Sequence, residues 1–197
     1  MTTPARIPAH PIEPLFIERW SPRAYDGSSI SQAVLNSIFE AARWAPSAFN
    51  YQPWRFVYAH RDGPDWQRFM DPLLPFNQSW VKNAAVIIYL LSDTLMEQGS
   101  GSEPKPSYSH SFDAGAAWGL LALQAKRSGY HAHGMTGVDF GAARTALNAP
   151  QRFRFEAAVA IGQQGDKASL PETLQEREFP SGRKPIEAFT FEGGLPG

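Results

Sequence analysis

A run of six apolar residues, Val86 to Leu91, constrains the fold more than any other stretch of the chain. Neither alternate set of side chains in this run is charged, so a strand formed here must be covered on both faces. The chain has 197 residues, 43% of them hydrophobic and 19% charged, which suits one domain with a sizeable core. We therefore predict a central strand that lies inside a layered structure.

Helical and strand patterns alternate along the rest of the chain. Ser31 is placed to cap a helix whose apolar positions run from Val34 to Ala45, and Ile30 and Leu35 occupy hydrophobic-staple positions. The other predicted helices are 66–74, 113–127 and 139–147, and the other predicted strands are 54–58 and 155–161. Because no internal repeat is present, we predict an α+β or α/β class in one domain.

Small residues recur on one stripe of the helix predicted at 113–127. They are Ala114, Ala117, Leu121 and Ala125. Small side chains let a second helix approach closely, so a buried helix is expected, and a subunit interface is one place for it.

The two ends of the chain differ from its middle. Residues 1–14 carry four prolines and predict an extended arm, while 171–197 form a polar tail with an apolar string at Ile186, Phe189 and Phe191. Both ends are too apolar to be free in solvent, and we expect them to wrap a neighbouring subunit. Residues 98–109 are rich in Gly, Ser and Pro and predict a mobile loop.

Composition excludes several classes of protein. The net charge of −1 gives no reason to expect nucleic acid or an anionic membrane as a partner, and no segment has the apolar length of a membrane span. Without cysteine there is no disulfide and no thiolate chemistry. His131 and His133 lack a third ligand at metal spacing, so no metal site is predicted. The N-terminal segment has no apolar signal core, and a cytoplasmic protein is expected.

A polar loop between two prolines is the first candidate site. Pro46 ends the preceding helix and Pro53 keeps Gln52 extended. Ser47, Asn50 and Gln52 lie between them and can all donate and accept hydrogen bonds. The loop is suited to a polar, planar ligand, although a turn that bonds only to itself fits the same residues.

Clustered arginines form the second candidate. Arg19, Ser21 and Arg23 face the same way if the segment is extended, and two guanidinium groups with a hydroxyl fit a terminal phosphate. Arg183, far away in sequence, could complete that site. A solvated basic edge is the alternative for such a cluster.

Two further segments are weaker candidates. Asn77 lies in a polar break before the central strand, where a cap or turn role is the alternative. The glycine-flanked stretch Gly134 to Gly137 is predicted as a loop that could offer bare backbone N–H groups to a ligand. No GxGxxG follows a strand, and neither a Walker lysine nor a GxSxG motif is present, so Rossmann, P-loop and α/β-hydrolase sites are disfavoured.

Taken in order, these segments resemble the FMN-dependent nitroreductase family over nearly the whole chain. The matching blocks are Arg19 to Arg23, Ala45 to Trp54, Phe76-Asn77, His133 to Phe140 and Arg183-Lys184. The second block, with the pattern Ala-Pro-Ser-x-x-Asn-x-Gln-Pro-Trp, is the most specific. In the family it usually reaches a flavin that is bound mainly to the other subunit.

The resemblance implies an α+β sandwich, with a central, mostly antiparallel sheet flanked by helices, and an intertwined homodimer with swapped termini. It implies FMN as the cofactor, with phosphate contacts from Arg19, Ser21 and Arg183, and with Arg23 and Gln52 near the flavin N1/O2 edge. The backbone of Met135, Thr136 and Gly137 would approach flavin N5. The full set of implied cofactor-binding residues is Arg19, Trp20, Ser21, Arg23, Pro46, Ser47, Asn50, Gln52, Asn77, Gly134, Met135, Thr136, Gly137 and Arg183.

The activity implied is ping-pong hydride transfer through flavin N5, from NADH or NADPH to a nitroaromatic, a quinone or a related small-molecule acceptor. No side chain is needed as an acid or base, because the flavin carries the chemistry. Two alternatives remain, since fold does not fix function. One is a protein that binds or senses flavin without turnover, and the other is a specialised flavin enzyme such as a dehalogenase or enal reductase.

Overall fold

The computed structural model describes residues 6–97 and 103–196. The strands in these ranges are β1 (Trp54–His60), β2 (Val86–Asp93), β3 (Leu95–Met96), β4 (Lys105–Pro106), β5 (His131–Met135) and β6 (Phe153–Gly162). Four of them form one antiparallel sheet in the order β1-β2-β6-β5, and β3 and β4 pair as a separate ribbon.

Helices pack on both faces of the sheet. Their bounds are α1 (Pro14–Glu18), α2 (Gln32–Arg43), α3 (Trp66–Met70), α4 (Pro75–Val81), α5 (His110–Arg127), α6 (Phe140–Ala146) and α7 (Glu172–Gln175). Short 3-10 turns occupy Ala48–Asn50, Lys167–Ser169 and Ile186–Ala188.

Strand β2 is the central strand that the sequence predicts. All eight of its residues are buried, and its six apolar side chains enter two different cores in alternation. Ile87, Tyr89 and Leu91 pack with residues of α3, α4 and α6 on one face of the sheet. Val86, Ile88 and Leu90 pack with α2 and α5 on the other. The predicted α+β sandwich with an antiparallel central sheet is therefore confirmed.

Two predictions about helices have different outcomes. The cap of α2 is confirmed, since Ser31 Oγ accepts from the Val34 N–H at 3.3 Å. The small-residue stripe of α5 is buried within the subunit, where it packs with α2 against the sheet. It therefore does not form a subunit boundary. The outward face of α5 instead exposes Phe112, Gly115 and Gly119.

Three local predictions are corrected by the structure. The helix predicted at 66–74 ends at Met70, since Pro72 has no backbone N–H with which to continue it. Asn77 lies inside α4, which Pro75 begins at a first-turn position, and not in a polar break. The first part of the predicted 134–137 loop belongs to β5, where Gly134 pairs with Val159 of β6.

The terminal and loop predictions fall partly on residues that the structure does not describe. Residues 6–13 of the predicted arm contain neither helix nor strand, and 1–5 lie outside the described ranges. Of the predicted 98–109 loop, 98–102 lie outside those ranges and 105–106 form β4. Within the described residues, no helix is long and apolar enough to cross a membrane.

Candidate functional site

A pocket of about 410 Å³ opens where the segment after α1 meets the segment after α7. Its lining residues are Arg19, Trp20, Ser21, Arg23, His133, Arg177, Phe179, Ser181 and Arg183. Four guanidinium groups and two hydroxyls are a donor set that suits the oxygens of a phosphate. We call this the arginine pocket.

The position of Arg19 follows from the end of α1. Arg19 leaves the helix in extended conformation, with ψ at 123°. The Arg6 guanidinium donates to the carbonyl oxygens of Ile17 and, at 3.0 Å, of Arg19, which satisfies carbonyls that the helix end leaves free. Arg19 Nη1 lies 3.4 Å from Ser21 Oγ, so both side chains reach the same space.

Like charges face one another in and around the arginine pocket. Burial lowers the pKa of Arg19, and the neighbouring charges of Arg183 and Arg6 lower it further. Burial also lowers the pKa of Arg23, with Glu178 opposing and Arg177 adding to that effect. Arginine remains protonated in proteins, so these groups remain cationic and repel one another. An anion bound among them would relieve this repulsion.

His133 forms the inner wall of the arginine pocket. Its ring packs against Trp80 with centroids 4.7 Å apart, and Nδ1 lies 2.9 Å from the carbonyl oxygen of Pro22. Burial lowers the pKa of His133 to about 4, so the imidazole is neutral at pH 7. Nδ1 therefore carries a proton and donates it to Pro22, which fixes the chain between Ser21 and Arg23.

A second, more apolar pocket of about 580 Å³ adjoins the first. Its lining residues are Phe16, Arg19, Ser21, Trp118, Gly119, Ala122, Leu123, Gly134, Met135, Thr136 and Ala157. Arg19 and Ser21 line both pockets, so an anion site and an apolar site are adjacent. A Cβ at Gly134 would lie 3.1 Å from the Trp118 ring, so glycine is what lets the ring approach the β5 backbone.

Asn77 supports the end of β5 and lines neither pocket. Its Nδ2 donates to the Gly137 carbonyl oxygen at 2.9 Å, and its side chain is buried. A Cβ at Gly137 would lie 2.5 Å from that nitrogen, so the contact requires glycine. The buried amide thus fixes the chain just after Met135 and Thr136.

We expect Asn77→Ala to lower the free energy of unfolding by about 0.5–1.5 kcal/mol, because the Gly137 carbonyl loses one of its two donors and keeps only the Leu74 N–H. Urea denaturation measures the loss. Asn36→Ala is the matched control, since that amide is exposed on α2. Equal losses in the two variants would contradict a supporting role for Asn77.

The proline-bracketed loop adopts an unusual backbone. Phe49, Asn50 and Gln52 have φ of 52°, 54° and 52°, in the left-handed region that L-residues enter at a cost. The prediction that Pro53 keeps Gln52 extended is therefore wrong. Ser47 Oγ accepts from the Gln52 N–H at 3.0 Å, and Gln52 Nε2 donates to the Asn50 carbonyl at 3.1 Å. In the single chain the loop therefore bonds to itself, as the alternative interpretation expects.

The loop is anchored on α5 by a residue that the sequence did not reveal. The buried carboxylate of Asp113 accepts from the Ala48 N–H at 3.2 Å and from Ser109 Oγ at 2.9 Å. Beyond this anchor Phe49 is 83% exposed, and Phe112 on the outward face of α5 is 80% exposed. Large apolar side chains thus project into solvent next to the loop.

The structure brings together only part of the predicted site. Arg19, Trp20, Ser21, Arg23 and Arg183 share the arginine pocket, and Gly134, Met135 and Thr136 share the apolar pocket with Arg19 and Ser21. The predicted residues that line neither pocket are Pro46, Ser47, Asn50, Gln52, Asn77 and Gly137.

Sequence reasoning missed several residues of the pockets, and three of them bear directly on the chemistry of the site. Arg177 lies in a tail without periodicity, and nothing in its neighbourhood marks it as part of an anion site. Trp118 lies on α5, where the sequence pattern indicates only the stripe of small residues and not the face that carries Trp118. The sequence marks His133 as a metal-ligand candidate that lacks a third partner and as the start of the block His133 to Phe140, whereas the structure uses its ring as a hydrogen-bond donor to the backbone.

Comparison with known proteins gives a consistent result. A model of the nitroreductase family matches residues 17–64, which contain the arginine segment and the proline-bracketed loop. A solved structure described as an oxidoreductase containing FMN is 49% identical, with a TM-score of 0.94, and the match covers 100% of this chain and 99% of that one.

Two curated relatives are similar to this chain over most of its length. A protein named NADH dehydrogenase from Thermus thermophilus is 29% identical over 93% of this chain and 96% of its own length. A protein named CLA biosynthesis enone reductase from Lactiplantibacillus plantarum is 26% identical over 75% of this chain and 83% of its own length.

Proposed function

Because this chain belongs to the nitroreductase family, we propose that it binds FMN across its two adjoining pockets and works as an NAD(P)H-dependent oxidoreductase. The observation that carries the proposal is the shared wall of Arg19 and Ser21 between an anion site and an apolar site. FMN has the same division, with a phosphate at one end and a tricyclic ring at the other. The 49% identical structure that contains FMN supports the same cofactor.

The residues present fit this cofactor. We assign the phosphate to Arg19, Ser21 and Arg183, and add Arg177 because it lines the same pocket. Charged donors of this kind make strong bonds to phosphate oxygens. Arg23 lies in the same pocket and is assigned to the N1/O2 edge of the flavin, where a fixed cation favours added negative charge.

The backbone at the end of β5 would hold the ring from another side. We assign the N–H groups of Met135, Thr136 and Gly137 to the N5 edge, supported by the position of Met135 and Thr136 in the apolar pocket. Asn77 would keep this segment in place through Gly137. Bound FMN would supply the redox chemistry by accepting a hydride and passing it on.

A homodimer would complete the site. Pro46, Ser47, Asn50 and Gln52 line neither pocket in a single chain, yet their loop keeps a costly left-handed backbone and presents an exposed Phe49. Strain of this kind is typical of functional segments. We propose that the loop reaches the flavin of a second copy, with Phe49 and Phe112 buried between the subunits and the terminal segments wrapped around the neighbour.

The electron donor is NADH or NADPH, and the acceptor is a small organic molecule. Nitroaromatics and quinones are the acceptors implied by the family. Because the chain is also similar to an enone reductase, we include α,β-unsaturated carbonyl compounds among the candidate acceptors. Donor and acceptor would use the same open face of the ring in turn, which gives ping-pong kinetics.

The test of the proposed function is spectroscopic. The purified protein should be yellow, or become yellow with added FMN, and NADH or NADPH should bleach it under anaerobic conditions. A nitroaromatic, a quinone or an enone should then restore the colour. A colourless protein that binds no added FMN would end the proposal, and bound flavin that neither nucleotide bleaches would favour a flavin carrier instead.

A further inference from the structure

A buried carboxylate lies beside the arginine pocket and is not explained by charge. The Glu178 side chain is only 2% exposed. Its Oε1 accepts from the backbone N–H of Arg23 at 2.7 Å and of Ala24 at 2.9 Å. Among residues 6–97 and 103–196 its Oε2 has no hydrogen-bond partner, and it lies 3.9 Å from Arg23 Nη1, which is a loose ion pair.

The electrostatics of Glu178 work against an anion site. Its negative charge lowers the positive potential that four neighbouring arginines create, and so weakens their attraction for a phosphate. Burying a carboxylate also has a desolvation cost. If an anion binds in the arginine pocket, a buried carboxylate at this place must contribute something other than charge.

What Glu178 contributes is geometry. It fixes two successive N–H groups of the segment that carries Arg19, Ser21 and Arg23, across a separation of 155 residues for the Arg23 bond. From the opposite side, the His133 Nδ1–H holds the Pro22 carbonyl at 2.9 Å. Residues 22 to 24 are therefore held from both sides. This fixed backbone sets the position from which the Arg23 side chain extends.

We propose that Glu178 is a positioning residue of the flavin site, and that it acts by accepting the Arg23 and Ala24 N–H groups. It tethers the tail of the chain to the arginine segment, so that Arg19, Ser21 and Arg23 are in place before the flavin arrives. This inference rests on the proposed function, because it takes FMN as the ligand of the arginine pocket. Donors that are already in place lose less conformational entropy when the ligand binds, and this smaller entropy loss raises the affinity for FMN.

Glu178→Ala and Glu178→Gln separate position from charge. Both remove the negative charge, but only the amide keeps a carbonyl oxygen that can accept the two N–H bonds. We expect the FMN dissociation constant, measured by flavin fluorescence titration, to rise about tenfold in Glu178→Ala. This is the change expected from the loss of one hydrogen bond to a charged group. Glu178→Gln should stay within about threefold of the wild-type value on the same scale. A purely electrostatic role predicts tighter FMN binding in both variants.

Glu176→Ala is the matched control, because that carboxylate is exposed two residues earlier. Hydrogen exchange adds a readout that needs no flavin: the Arg23 and Ala24 amides should exchange faster in Glu178→Ala than in Glu178→Gln. Equal FMN affinity in both Glu178 variants, or unchanged exchange at these amides, would overturn the inference. A wild-type protein that binds FMN while Glu178→Ala binds it equally well refutes the inference and leaves the proposed function standing.

Discussion

Replacing Arg19 and Arg23 together by alanine is expected to weaken FMN binding about 100- to 10,000-fold. Each guanidinium lines the arginine pocket, and hydrogen bonds between charged groups are each worth about 1.5–3 kcal/mol. Two such losses correspond to the expected range, since about 1.4 kcal/mol is tenfold in affinity. The measurement is the FMN dissociation constant by fluorescence titration, together with the flavin content of the protein as purified.

The matched control is Arg43→Ala with Arg68→Ala. These two arginines lie on α2 and α3, half-exposed, and pair locally with Glu40 and Asp65. The control changes the net charge by the same amount, so it separates a specific site from the general attraction of a basic protein for an anion. If the Arg19 and Arg23 double variant retains FMN as well as this control does, the phosphate assignment is wrong.

Riboflavin divides the roles of the two residues, because it has the same ring and no phosphate. Arg19→Ala should weaken binding of FMN and leave riboflavin unaffected, since Arg19 is assigned to the phosphate. Arg23→Ala should weaken binding of both flavins, since Arg23 is assigned to the N1/O2 edge. A loss confined to FMN in the Arg23 variant would move that residue to the phosphate.

The sequence predicted elements whose signals are local. The β2 strand could be predicted because its apolar residues admit no solvent-facing side, and the cap of α2 because Ser31 stands immediately before the helix. The β5 strand could not, since Gly134 reads as a loop residue. It is a strand because the β6 backbone pairs with it, and that pairing is a tertiary event.

The candidate site shows the same division between local and distant signals. Arg19, Ser21 and Arg23 could be grouped because they are close in sequence. Glu178 and Arg177 could not be added to them, because only the folded chain brings the tail to the segment after α1. The positive φ values at Asn50 and Gln52 likewise follow from the whole loop and its anchor at Asp113, and no single residue signals them.

Acid is expected to destabilise this protein through His133. Burial lowers the pKa of this imidazole to about 4, below the ordinary value of 6.5 that it regains on unfolding. Between these two pH values the unfolded chain binds a proton that the folded chain does not. The contribution of the neutral His133 to the free energy of unfolding is therefore fully present above pH 6.5. It is lost as the pH falls toward 4, and the loss from this one residue is up to about 3 kcal/mol.

The test compares wild type with His133→Asn in urea denaturation at several pH values from 7.5 to 4.5, at one FMN concentration throughout. Asparagine does not titrate, and its Nδ2 can still donate toward the Pro22 carbonyl. The variant loses the contact with Trp80 and is less stable at pH 7.5, but its stability should fall less on acidification than that of wild type. Carboxylates titrate in both proteins and cancel in the difference.

His10→Asn is the control for the loss of a histidine as such, because His10 is exposed and water reaches its ring whether or not the chain is folded. Its pH dependence should match that of wild type. Parallel curves for wild type and His133→Asn would mean that the folded protein protonates His133 as readily as the unfolded chain does. Below pH 6.5 a cation would then lie among the arginines, and the repulsion that favours a bound anion would be stronger than the neutral ring implies.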